Sequence, residues 1–521
     1  MLTLSGIEKR ASSVSWEKLQ KVFTLHLNQD ELKNIPPIGK VITVSNRPIG
    51  VIEDLVIHLL FRTIRDDHYF LQNEYYEHSI FEDSVPALND QQFTNAFSTD
   101  AFSQAALCMF PVGAISKFQL PNYASDSKWC KDMIDQVYKS DCPVVPIYIK
   151  IVSDNLSKIL GMLHPALRVR RIISMIGEGA KIEVSIRVGR PIYRKHLAEM
   201  SSSQYGRYLR AKLYSLGTPL DVEKFYRSQL FMLPVQEPVP PGMIMQELDA
   251  IRGENKVGEQ GDFEMFLAKA KKIPHTLNEI GRLREITFRK VGEGTAKSLD
   301  LDEFDLHYLH LFLWDRKNNL IAGAYRIGSG DYIMRVFGKK GFYIRSLFKI
   351  DDALNPLLES AVELGRSFVV EAYQRNRIPL FLLWKGVMQF VKTKPHMKYI
   401  MGPVSISNNY SDASRSLLVS YIRKFHWEEK WATFVQPKKK FMPQFSGLDI
   451  EPLLDASSDD CRHIDGLLED IEPGKMRMPV LLKKYIQQNG KVIAFNVDPH
   501  FNDALDGFMI CEISKMPSKW P

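Results

Sequence analysis

The chain reads as an α/β protein of two domains, and three observations carry that reading. It has 521 residues, well beyond the roughly 250–300 at which a single hydrophobic core stops growing. Strand-like runs alternate with helical patterns in both halves, the order expected of layered α/β architecture. The stretch PVQEPVPPG at 234–242 holds four prolines and a glycine, and proline, with a fixed φ and no amide donor, stiffens a connector. The expected organisation is a first domain over 1–233, a linker over 234–243 and a second domain over 244–521.

In chain order, Val41–Ser45 is a short buried strand and PVVPIYI at 143–149 is another. Ile182, Val184, Ile186 and Val188 alternate with Lys181, Glu183, Ser185 and Arg187, which predicts a half-buried strand. Helical patterns cover 50–65, 126–140 and 203–215. After the linker, strands are predicted over 306–314 and 320–327, helices over 352–362 and 379–393, and a strand over 399–405. Near the N-terminus, Trp16, Leu19, Phe23 and Leu27 recur at helical spacing with Lys18 and Lys21 between them. That predicts an amphipathic helix, laid on its own domain or on a membrane surface.

Composition excludes whole classes. Apolar residues make up 45% and charged residues 25%, ordinary for a globular chain and unlike a disordered or collagenous one. The net charge of +7 is mild, and its basic residues form no aromatic-interleaved stripe, which argues against nucleic acid. Cys108, Cys130, Cys142, Cys461 and Cys511 show no metal or disulfide spacing, and the histidines are dispersed, so no metal is expected. No run approaches the ~20 apolar residues of a spanning helix, and MLTLSGIEKRASS lacks the apolar core of a secretory signal. The expected location is cytoplasmic, with room for peripheral contact at the inner face of the membrane.

Three segments of the first half belong together: SNRPIGVIED (45–54), FPVGAISKF (110–118) and PVVPIYI (143–149). With WCKDMIDQVYKSDC ahead of the last and HPALRVRR and KIEVSIRVGRPI after it, the region 19–230 resembles the glycerolipid (lysophospholipid) acyltransferase family. That family's histidine takes a proton from an attacking hydroxyl while a nearby carboxylate orients the imidazole. Here the histidine position is Arg47, a guanidinium that stays protonated and cannot act as a base. Asn46, Pro48 and Gly50 remain, and Glu53 or Asp54 stands at the carboxylate position; His58 lies further along at a spacing that does not fit. Gly113, Ser116 and Lys117 match the family's phosphate-contacting turn, with Arg168, Arg170 and Arg171 adding positive charge. Two readings stay open: a catalytically silent lipid- or acyl-binding module in which Arg47 pairs internally with Glu53, or an O-acyltransferase with a base from elsewhere.

The second half runs EIGRLREITFRKVGEGT (279–295), LDEFDLHYLHLFLWD (301–315), LIAGAYRIG (320–328), ELGRSFVVEAYQ (363–374), FLLWKG (381–386) and YIMGPVSIS (399–407). As a set these resemble the GNAT branch that holds ornithine-lipid and other amino-acid-lipid synthases (hemolysin-like acyltransferases), with acyl-homoserine-lactone synthases as distant relatives. The resemblance implies a GNAT-like fold with a mixed central sheet, and transfer of a long acyl chain from acyl carrier protein to an amine, with no cofactor. It makes Glu363 the proton acceptor with Arg366 beside it. Asp302 and Asp305 become an acidic pair that binds the substrate ammonium or positions Arg284, and backbone amides of a splayed strand face the oxyanion. The plain alternatives are a helical (i, i+3) ion pair for Glu363 and Arg366, turn caps for the two aspartates, a packed strand position for His310 and core filling for Trp384. Acetyl-CoA enzymes cradle pyrophosphate on a glycine-rich turn; YQRNRIPLFLLWKG (373–386) has none, but offers Arg375 and Arg377, with Lys339 and Lys340 elsewhere, for docking an acidic carrier.

The sequence therefore predicts a long-chain N-acyltransferase of membrane-lipid synthesis joined to an acyltransferase-like domain that binds lipid or donor. Lysophospholipid O-acylation by the first domain, and a non-catalytic lipid-binding scaffold, are the alternatives.

Overall fold

The computed structural model describes residues 22–47, 52–71, 87–88, 104–112, 117–119, 123–125, 129–151, 171, 174–175, 180–221, 232–445, 448–472 and 476–517. The chain separates into two compact units, Met1–Lys224 with Phe445–Ser458 and Gly466–Lys475, and Phe225–Gln444 with Asp459–Asp465 and Met476–Pro521. Both are mixed α/β, as the sequence predicts.

In the first unit the strands are β1 (Phe23–Leu27), β2 (Val41–Ser45), β3 (His68–Leu71), β4 (Ala87–Leu88), β5 (Ala106–Met109), β6 (Lys117–Gln119), β7 (Tyr123–Ser125), β8 (Val144–Ile151) and β9 (Ile182–Val188). Seven of them form a sheet in the order β1-β9-β8-β2-β5-β3-β4, and β6 and β7 make a separate hairpin. Strand β2 is buried along its whole length between parallel neighbours β5 and β8, which is why VITVS is an apolar run rather than an alternating one. Strand β9 has the predicted alternation as far as Ile186, but Arg187 is buried and paired with Glu31 at 2.8 Å. Helices α1 (Glu53–Phe61), α2 (Lys131–Lys139) and α3 (Ser202–Asp221) accompany the sheet.

Three sequence expectations change here. Phe23 and Leu27 lie in β1, paired in parallel with β9; with Leu25 they sit at alternate positions whose side chains are buried or half-buried. A period-two strand therefore replaces the expected helix over its described part, while Trp16 and Leu19 lie outside the described residues. The segments 445–458 and 466–475, expected in the second domain, belong to the first unit. They bury Leu453, Leu454, Leu468 and Ile471, and polar contacts join them to the unit: Asp470 takes the buried Lys212 ammonium and its carbonyl accepts from Arg187 at 3.1 Å, while Asp449 meets Arg207 at 2.9 Å. Burial alone would depress the Lys212 ammonium, but the Asp470 carboxylate raises it above the usual lysine range. Third, the end of the connector moves from 243 to 240, because Pro241 already opens a helix.

The second unit contains α4 (Pro241–Asn255), β10 (Lys256–Gln260), β11 (Phe263–Lys269), α5 (Pro274–Lys290), β12 (Leu309–Asp315), β13 (Leu320–Ser329), α6 (Gly330–Phe337), β14 (Phe348–Ile350), β15 (Ala361–Val369), α7 (Ile378–Lys392), β16 (Tyr399–Ile406), α8 (Asp412–Phe425), β17 (Val435–Pro437), α9 (Val480–Gln487), β18 (Lys491–Asp498) and β19 (Ala504–Glu512). Its main sheet has the order β10-β11-β12-β13-β15-β16-β19-β18. Neighbours are antiparallel except β15 and β16, which are parallel. This is the mixed central sheet expected. Pro274 opens α5 and Arg289 and Lys290 close it, complementing the helix dipole at its C-terminal end. Among the described residues no helix is long and apolar enough to cross a membrane.

Candidate functional site

The parallel pair is incomplete, and that defect organises the site. Strand β15 pairs with β16 only from Ala361 to Glu363, opposite Tyr399 to Met401, although both strands run on to Val369 and Ile406. Gly402 stands at the point of divergence, where an added Cβ would lie 2.0 Å from the Leu364 carbonyl oxygen. Only glycine allows so close an approach. On its other edge β15 shifts register against β13 between Ala324 and Arg326, and Arg366 sits in that bulge at φ 49°. A non-glycine residue held left-handed in a strand is strained, and such strain concentrates at functional positions.

Glu363, the last residue of the paired stretch, is buried. Its carboxylate accepts from the Tyr308 hydroxyl, from the Ile344 amide at 2.7 Å and from the Tyr343 amide at 3.2 Å. A carboxylate offers about four acceptor positions, so one remains. Burial, opposed by those hydrogen bonds, pushes the carboxyl up to about 7. Glu363 and Arg366 do not form a helical pair: both lie in β15, because the run AVELGRSFV extends as a strand inside the sheet.

Arg366 reaches the other way, 3.1 Å from Asp300, 3.5 Å from Asp302 and 3.0 Å from the Tyr343 hydroxyl. Arg284 on α5 grips Asp305 with both terminal nitrogens, at 2.8 and 3.2 Å, and touches Asp300 at 3.2 Å. Arg326 on β13 bridges Asp302 and Asp305. Its guanidinium also faces the Phe304, Tyr308 and Tyr343 rings, the nearest centroid 4.9 Å away. Three arginines and three aspartates thus neutralise one another out of water, the condition under which buried charge is tolerated. Burial resists ionisation of Asp300, and Arg284 and Arg366 overcome it, holding that carboxyl below its usual range. In the acidic pair, Asp305 holds Arg284, and Asp302 and Asp305 form a reciprocal capping box on the turn 303–306. That turn delays β12 to Leu309, three residues after its expected start. His310 is a packed strand residue whose Nε2 lies 2.9 Å from the Asp305 carbonyl, and burial pulls its imidazole down to about 4. Trp384 is buried in the core.

Five residues of this region escape the sequence reading: Asp300, Arg326, Tyr343, Asp506 and Glu293. Asp506 on β19 accepts from the Ser405 hydroxyl at 2.6 Å, and burial lifts it to about 7. Burial and the Asp506 charge lift Glu293 to about 8. A signal existed for two of them, since Arg326 in LIAGAYRIG and Asp506 in ALDGFMICE are charges inside otherwise apolar strands, and unpaired charges are almost never fully buried. A cavity of about 20 Å³ lies at the divergence, lined by Leu364, Ile400, Gly402, Tyr485, Met509 and others; it has room for one water. Arg375 and Arg377 are exposed between β15 and α7, whereas Lys339 is engaged by Asp352.

In the first unit Asn46 clamps β8, accepting from the Ile149 amide at 2.7 Å and donating to its carbonyl at 2.8 Å. The Arg47 guanidinium lies 5.7 Å from the centre of the Phe110 ring. Glu53 and Asp54 open α1 with buried side chains, each carboxylate accepting from a neighbouring amide, Ile52 and Leu55. His58 faces His68 at 2.7 Å. Gly113, Ser116, Arg168 and Arg170, and the side chain of Lys117, lie outside the described residues. Among the described residues no three His, Cys, Asp or Glu side chains converge as metal ligands.

The chain has likenesses among known proteins. Residues 283–384 match the model of the acetyltransferase (GNAT) domain family. Over 186 residues the chain is 33% identical to the glycine N(alpha)-acyltransferase of Phocaeicola vulgatus, covering 33% of this chain and 57% of that protein. Over 215 residues it is 30% identical to the glycine N(alpha)-acyltransferase of Bacteroides thetaiotaomicron, covering 39% and 63%. The chain thus spans about three fifths of the length of these relatives. A solved 1-acyl-sn-glycerophosphate (LPA) acyltransferase from Thermotoga maritima aligns with 42% of this chain and 81% of its own at 14% identity, with a TM-score of 0.27, too low to carry an argument. The match to the acetyltransferase (GNAT) domain family falls within the second unit, where the diverging strands and the arginine–aspartate cluster lie.

Proposed function

We propose that the second unit transfers a fatty acyl group from a carrier-protein thioester to the amine of a small amino acid such as glycine. The observation that carries this is the divergence of β15 from β16 at Glu363, where a buried carboxyl held near 7 meets backbone freed from its ladder. An ammonium must lose its proton before it can attack, and a base works best when its pKa is close to the working pH. Glu363 takes that proton. The free amine adds to the thioester carbonyl; the C–N bond forms, the C–S bond breaks, and the proton the nitrogen loses as it becomes an amide passes to the departing thiolate. Amides of β15 beyond Glu363 face the developing oxyanion. The neutralised cluster of Arg284, Arg326 and Arg366 with the three aspartates holds Tyr308 and Tyr343, two of the donors to Glu363, in place. Arg375 and Arg377 receive the acidic carrier. A fatty chain needs the small cavity to widen when donor binds.

A second reading makes Asp506 the base, favoured by its lighter load: Ser405 is its one hydrogen-bond donor among the described residues, against three on Glu363. The first unit, with Arg47 where a base is needed, binds lipid or acyl donor without turning it over. The test is a panel of amino acids offered with acyl carrier protein and CoA thioesters of several chain lengths. The reading expects N-acylglycine from the long-chain carrier thioester. Acylation from acetyl-CoA alone sinks the donor assignment, and failure with every amino acid sinks the acceptor.

A further inference from the structure

The turn that carries Asp302 and Asp305 ends on a residue pointing into solvent. Leu306 is 74% exposed, although Phe304 and Asp305 before it are buried. Two more large apolar residues, Val336 at 51% and Phe337 at 43%, are exposed at the C-terminal end of α6. His307 welds the two pieces into one surface: its Nε2 is 2.9 Å from the Gly341 carbonyl, and its ring is 4.4 Å from that of Phe337. Arg335 and Lys340 flank the apolar residues, both exposed and neither held by a carboxylate among the described residues.

Exposed apolar clusters are uncommon and mark contact surfaces. Protruding leucine and phenylalanine side chains with free cations beside them suit a bilayer: the tips enter the acyl boundary and the cations meet lipid phosphates. The apolar side chains project rather than line a groove, which suits insertion into a bilayer. We infer that Leu306, Val336, Phe337, Arg335 and Lys340 form a surface that seats the second unit on an anionic phospholipid bilayer. The surface adjoins the candidate site along the chain, since Asp305 precedes Leu306 and Tyr308, two residues on, bonds Glu363. The inference does not depend on the reaction proposed above.

The test is sedimentation of the full chain with vesicles of phosphatidylcholine, with and without phosphatidylglycerol. Binding is expected only with the anionic lipid, weakening as salt rises. Leu306→Ser with Phe337→Ser should lower the affinity at least about tenfold, and Arg335→Gln with Lys340→Gln roughly fivefold for each charge. Because Leu306, Arg335 and Lys340 are exposed and Phe337 gives up only its contacts with the His307 and Tyr332 rings, the thermal midpoint should move little. Failure of the unchanged chain to bind anionic vesicles overturns the inference, as does undiminished binding by the variants. A dimer that the Leu306→Ser, Phe337→Ser variant converts to monomer assigns the surface to a second copy and overturns it too. So does lost affinity for carrier protein with vesicle binding intact.

Discussion

The two units handle buried charge in opposite ways. In the first, Arg47, expected from the sequence resemblance to stand where a glycerolipid acyltransferase has its histidine, lies over Phe110, and Asn46 is committed to the β8 backbone. In the second, Glu363, Asp506 and Glu293 are carboxyls whose burial lifts them to between about 7 and 8. A guanidinium cannot change charge near neutrality, whereas a carboxyl poised there can take up a proton and return it. Burial becomes chemistry only where the buried group can titrate.

The largest effect expected concerns the first unit's ionic anchor. Asp470→Ala leaves the buried Lys212 ammonium uncompensated and should cost about 3–5 kcal/mol, read as a lowered thermal transition; an unchanged transition would detach 466–475 from that unit. Next, Gly402→Ala drives a Cβ against the Leu364 carbonyl and should cost ~1–3 kcal/mol, with N-acylation falling as the divergence is displaced. A functional alanine variant would show that the close approach is dispensable.

Acidity separates the units further. With the base near 7, the N-acylation rate should climb about tenfold from pH 6 to pH 8 as the carboxyl ionises. Stability moves the other way. Between the ordinary carboxyl range and about 7, the folded chain keeps protons on Glu363 and Asp506 that the unfolded chain has lost, so stability falls as pH rises through that window. Glu363→Gln should flatten its share of that slope in denaturant titrations at successive pH values. The smallest effect belongs to the first unit: Arg47→His should give weak O-acylation of a lysophospholipid where the unchanged chain gives none. No gain would mean that the frame lacks more than its base.

Much of the local structure was legible. Val41–Ser45 and Ile182–Val188 have the expected limits, because an unbroken apolar run and a strict alternation each leave one pattern of burial. The pairing of Arg284 with Asp305 was also within reach, as a helix residue facing an acidic turn. The helix expected across Phe23 and Leu27 was wrong because residues four apart in a strand also share a face. Asp506, Tyr343 and Glu293 were hidden for a different reason: they come from β19, the segment after α6 and the turn after α5, and meet only through sheet order. The bulge that turns Arg366 left-handed is likewise a property of β13 and β15 together, absent from ELGRS itself.

The most direct test sets Glu363→Gln beside Arg47→Ala in one assay, following N-acylglycine and free carrier thiol by mass spectrometry with long-chain acyl carrier protein as donor. The account predicts a loss in kcat of about 10²–10⁴ for Glu363→Gln with the protein still folded, and an unaltered rate for Arg47→Ala. Full N-acylation by Glu363→Gln, or its collapse in Arg47→Ala, would contradict it.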